Sequence, residues 1–89
     1  MKAVNYYLVV ENIKVIKSDI VANNHIKSML SGKDGTIFKS IAWNAVNSPL
    51  EKVLNKNNKR LFNAAGKMKL NEWHGQKNIE FIIEDISIN

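Results

Sequence analysis

The chain has 89 residues, 45% of them hydrophobic, and contains no cysteine. That is enough for one domain with a single modest core, and it excludes disulfides, thiolate metal sites and a cysteine nucleophile. The formal charge of +5 favours anionic partners. No apolar run approaches the ~18 residues of a membrane span. The start, MKAVNYYLVVENIK, has neither the long apolar centre nor the small-residue cleavage site of a secretory signal. A cytoplasmic protein with no membrane contact is expected.

Residues 1–10, with YYLVV, read as a linker remnant or an extra edge strand, so the folded domain is expected over 11–89. IKVIKSDIV at 13–21 alternates apolar and polar residues, although its phase slips around Lys17 and Asp19. NNHIKSMLS follows a polar break at 22–24 and reads as a second strand. GKDG at 32–35 sets two glycines around an aspartate, a strong hairpin signal, and TIFKSIAW at 36–43 continues as a third strand. The period then changes. In NSPLEKVLNK, Ser48 as N-cap, Pro49 at the first helical position and Glu51 three residues after the cap make a capping box. A short helix follows, with Leu50, Val53 and Leu54 on one face, and NKNNK stops it.

RLFNAAGKMKLNEW and KNIEFIIEDISI then form a hairpin around NEWHGQ. Phe62, Ala64, Gly66, Met68 and Leu70 share one parity, Lys67 and Lys69 the other. A glycine inside a strand predicts a bulge or sharp bend at Gly66. Three strands, one short helix and two strands is the layout of an all-β, five-stranded OB barrel with its helix between strands 3 and 4.

Charge is unevenly spread. Between Lys52 and Lys77 there are seven basic residues against one acid, Glu72; from Asn78 onward the charges are all acidic. This stretch is either a solvated face or a polyanion footprint. Lys67 and Lys69 project from one side of a strand roughly 6–7 Å apart, near the phosphate spacing of a single strand, and Lys77 is expected to face them across the hairpin. Arg60 belongs to the same basic run. Trp73 at the turn either stacks on a base or folds back over the barrel end, and Gly75 supplies the turn's positive φ. Lys39 shares parity with Ile41 and Trp43. An exposed face there would make a charge-plus-aromatic platform; the favoured reading buries Trp43. His25 and His74 could bind phosphate. No spacing of Ser, His and Asp suggests a nucleophile with its base, and His25, His74, Asp19, Asp34 and Asp85 show no metal-ligand spacing.

AAGKMKLNEWHGQKNIEFIIEDI, with Gly66 to Met68, Trp73 beside Gly75 and Ile79 to Asp85, resembles the C-terminal OB domain of RecJ, the bacterial 5′ to 3′ exonuclease specific for single-stranded DNA. HIKSMLSGKDGTIFKSIAWN is similar to an earlier part of that domain, so the likeness covers roughly residues 11–89. The resemblance implies a single-stranded-DNA-binding module of a DNA repair and recombination enzyme. Its site residues would be Lys39, Arg60, Lys67, Lys69, Trp73, His74 and Lys77. Its partners would be the DNA strand, the enzyme's catalytic domains and single-stranded-DNA-binding protein. The Asp-His-His motif of the catalytic domains is absent. The chain is therefore expected to be a fragment or a split-gene product with no catalysis and no cofactor of its own, the Mg or Mn ions belonging to the missing domains. The alternatives are a structural or protein-docking barrel and an RNA-binding OB domain.

Overall fold

A strand of 20 residues cannot stay flat in a small barrel, and β1 (Lys2–Val21) is bent twice by its own sequence. The computed structural model describes residues 2–88; the side chains of residues 2–5, 71 and 73 lie outside that description. Leu8 and Val10 keep one parity, Ile13 and Val15 the other. The break falls at Asn12, whose φ of 54° lies in the left-handed region that asparagine tolerates better than most residues. Before the break β1 pairs antiparallel with β4 (Phe62–Trp73), from Lys2↔Glu72 to Val10↔Ala64. Beyond it β1 pairs with β2 (His25–Ser31), and a second shift at Ile16 separates Val15↔Leu30 from Lys17↔Met29. This second bulge is the phase slip seen around Lys17. Residues 2–10, expected outside the five strands, are thus the first half of β1.

The GKDG turn joins β2 to β3 (Ile37–Ala42). The Gly32 N–H donates to the Thr36 carbonyl at 2.8 Å and the Gly35 N–H to the Gly32 carbonyl at 3.0 Å. Asp34 Oδ1 accepts from the Thr36 N–H at 3.0 Å, and that bond holds the carboxyl below its ordinary 3.8. At α1 (Pro49–Val53) the Leu50 N–H donates to Ser48 Oγ at 3.2 Å, while Glu51 reaches back to accept from the Asn47 N–H at 3.0 Å. The expected cap is formed, with the glutamate's bond shifted one residue upstream. Val53 and Leu54 join Ile13, Leu30, Phe62 and Phe81 in the buried cluster, so the short helix is anchored by apolar burial rather than by its length.

β5 (Gln76–Ile88) completes the barrel in the order β1-β2-β3-β5-β4, closed by the β4–β1 ladder. Its contact with β3 is parallel and brief, covering only Lys39↔Glu80, Ser40↔Phe81 and Ile41↔Ile82. Along β4–β5, Ala65 opposes Asp85 but Gly66 opposes Ile83, leaving Glu84 as the extra residue of a bulge. A Cβ on Gly66 would sit 1.9 Å from the Ile82 carbonyl oxygen. Only glycine admits this close approach, which curls the ribbon around the core.

Candidate nucleic-acid interface

Directly opposed residues of neighbouring strands project to the same side of a sheet, about 4.5–5.5 Å apart at Cβ. Ile26 and Leu30 of β2 and Ala42 of β3 point into the core, so Lys27, Met29, Lys39 and Ile41 belong to the outer side. Pairing then assembles two rows across the barrel wall. One runs Lys17–Met29–Lys39–Glu80–Lys69, the other Asp19–Lys27–Ile41–Ile82–Lys67. Lys17, Lys27 and Lys39 are exposed and come from three successive strands, β1, β2 and β3.

Beyond the Lys39↔Glu80 pair, β3 and β5 part. The gap is a cleft of about 630 Å³, lined among others by Ile37 and Lys39 from β3, Lys77, Ile79 and the acidic Glu80 from β5, and Lys27 and Met68. Ile37 and Ile79 are each about half exposed, so the cleft mixes cationic and apolar surface. A smaller cavity of about 230 Å³ adjoins it through shared Lys27, Met29, Lys39 and Glu80, and extends the lining to Lys17. Phosphates can meet lysines here while base faces meet apolar side chains, the two contacts a single strand offers.

The structure distributes the expected site residues unevenly. Lys39 and Lys77 share the large cleft, and Lys69 ends the row that passes through Lys39. Lys77 does not face Lys67 and Lys69. The two-residue turn at His74 and Gly75 pairs Trp73 with Gln76, which sets Lys77 opposite Glu72, Lys69 opposite Glu80 and Lys67 opposite Ile82. Lys67 Nζ lies 3.8 Å from Glu84, the bulged residue. Both turn residues are left-handed, His74 at 51° and Gly75 at 76°, the geometry of a type I′ hairpin, so the expectation for Gly75 holds. His74 is exposed at the tip. The Trp73 side chain lies outside the described residues, and with it the expected stacking contact. Arg60 stands before the start of β4, nine residues and about 30 Å of strand from Lys69, with its N–H donated to Asn58 Oδ1 at 2.9 Å.

Trp43 is not buried, contrary to expectation. Ile41 on the same side is covered, but Trp43 follows the last residue of β3 and remains 54% exposed. Lys17, Lys27 and Met29 escaped the sequence reading. Lys27 was accessible to it, because the GKDG turn fixes the β2–β3 register and places Lys27 and Lys39 on one side; Lys17 was hidden by the bulge at Ile16. Among the described residues no group of three or more His, Asp or Glu side chains could hold a metal ion. No helix among the described residues is long and apolar enough to cross a membrane.

A closed five-stranded barrel with a short helix between its third and fourth strands, carrying a mixed cationic and apolar groove over β2 and β3, is an OB-fold binding module rather than a catalytic domain; nucleic acid is the ligand class this fold suggests. The RecJ OB domain family matches residues 5–85, and the chain belongs to that family. The match takes in YYLVV, in keeping with its place in β1. No curated protein matches the chain.

Proposed function

We propose that this OB domain binds single-stranded DNA as part of a RecJ-type 5′ to 3′ exonuclease of bacterial DNA repair and recombination, acting in the cytoplasm. The strand lies in the groove between the β2–β3 and β4–β5 hairpins. Lysines hold its phosphates, apolar side chains meet its bases, and metal-dependent cleavage belongs to other domains of the enzyme. The observation that carries this reading is the convergence of four lysines, Lys17, Lys27, Lys39 and Lys77, against two acids, Asp19 and Glu80, on two adjoining cavities that also contain Met29, Ile37 and Ile79. Lys69 extends the cationic row, and Trp73 and His74 stand at the hairpin tip that would form the groove's rim.

A salt titration of binding to a fluorescent oligo-dT tests the proposal. Four phosphate contacts predict a slope of log K against log salt of about −2.8, at roughly −0.7 per contact on single strands. No binding at low salt by the folded chain would overturn the proposal. Tighter binding of structured RNA than of a DNA strand of equal length would move the assignment to an RNA-binding OB domain.

A second reading, docking to the catalytic domains or to single-stranded-DNA-binding protein, has one observation in its favour. Tyr7 and Val9, on one side of β1, are each more than half exposed, adjacent apolar surface of the kind that marks contacts. Loss of DNA binding without loss of fold would favour it.

A further inference from the structure

We infer that Trp43, held by His25, is a stacking platform for one unpaired base of the bound strand, a subsite separate from the hairpin tip. The inference rests on the single-strand reading above and assigns that strand a path across the barrel wall. Trp43, the one indole among the described side chains, is 54% exposed and packs against a neighbouring ring. Its ring meets His25 edge-on, with centroids 4.7 Å apart and planes at 75°. His25 is fixed in turn, because its Nδ1 accepts the Asn44 N–H at 2.9 Å, which leaves the proton of the neutral ring on Nε2. The two loops that carry these residues are tied by Asn24 Nδ2 donating to Asn44 Oδ1 at 2.6 Å and by the Val46 N–H donating to the Asn24 carbonyl at 3.2 Å. An exposed aromatic that served only to cover the core would not need this support.

Position adds to the argument. Trp43 follows Lys39 by four residues, about 13 Å along the strand, or about two nucleotides, and Lys27 lies in the row between them, opposite Ile41. A strand whose phosphates follow Lys39 and Lys27 brings its next base to the indole. Every base has a face that can stack, so the platform tolerates any sequence.

The experiment uses the full chain with Trp73→Phe, which leaves Trp43 as the sole tryptophan, and titrates it with oligo-dT and with an abasic strand of equal length. The expected result is quenching of Trp43 emission by oligo-dT and not by the abasic strand. Trp43→Ala should raise the Kd for oligo-dT about tenfold with the salt slope unchanged, and Trp43→Phe should stay within about threefold of the parent. The platform is exposed and outside the core, so thermal unfolding of the variants should match the parent. Tight, salt-dependent oligo-dT binding with silent Trp43 emission and an unchanged Kd in Trp43→Ala would overturn this inference alone. Absence of any oligo-dT binding would overturn it together with the proposed function.

Discussion

Two groups of lysines in this protein look different in the sequence and in space. Lys67 and Lys69 stand together in a basic stretch of the chain, but folding sets Glu84 3.8 Å from Lys67 and Glu80 opposite Lys69. Lys17, Lys27 and Lys39 are scattered, each among neutral or acidic neighbours, yet three strands bring them to one wall beside a groove. A positive field is a property of the surface, and a run of like charges along a strand says little until the partner strand's charges are known. The acidic second arm of the β4–β5 hairpin sets Glu84 and Glu80 against Lys67 and Lys69, whereas on the β1–β2–β3 wall three lysines share two acids, Asp19 opposite Lys27 and Glu80 opposite Lys39.

The bulge that sets the β4–β5 register offers the most severe way to break this contrast. Gly66→Ala places a methyl against the Ile82 carbonyl, and the ribbon must move to admit it. We expect a loss of about 3 kcal/mol or more in urea unfolding; a loss below about 1 kcal/mol would show that the ribbon gives way easily. The contrast is sharpened by two double variants compared in oligo-dT binding. Lys27→Ala/Lys39→Ala should reduce the magnitude of the salt slope by about 1.4, two contacts at roughly 0.7 each. Lys67→Ala/Lys69→Ala should change it by less than half as much, and the reverse order would return the groove to the β4–β5 ribbon. A third measurement isolates the Lys67–Glu84 pair. Its side chains are 52% and 39% exposed, so a double-mutant cycle should give no more than about 0.5 kcal/mol, fading at high salt.

The smallest effect concerns the turn that aligns Lys27 with Lys39. Asp34 is exposed, and the pKa of its carboxyl is lowered by the bond from the Thr36 N–H. A carboxyl depressed in the folded state contributes stability above its ordinary 3.8 and loses it as pH falls through the lowered value. The Tm of Asp34→Ala should therefore lie slightly below that of the parent at pH 7, and the gap should close as pH falls through and below that lowered value. A gap that widens in acid would refute this sign.

Much of the fold was legible because single residues dictate it. GKDG, the Ser48 cap, Gly66 and Gly75 each have one geometry that suits them, and each adopts it. The length of β1 was not legible, because period-two alternation fails at Asn12 and again at Ile16, and each failure imitates the end of a strand. The site was less legible for a related reason. Lys39 and Lys77 could be named from the sequence, but their company depends on register, which a two-residue turn and one bulge decide. Trp43 was misread because Ile41, two residues earlier on the same side, is covered while the strand's end is not.

The three-rung β3–β5 seam has a consequence for the order in which the protein can be made. Its partners are 41 positions apart, as read from Lys39↔Glu80, and β1 likewise waits for β4. During synthesis Leu30 and Ala42 leave the ribosome before Phe62 and Phe81, the residues that cover them in the folded barrel. The residues of the β1–β2–β3 wall are all made before β4 and β5, which carry Phe62 and Phe81, the large side chains that close the interior.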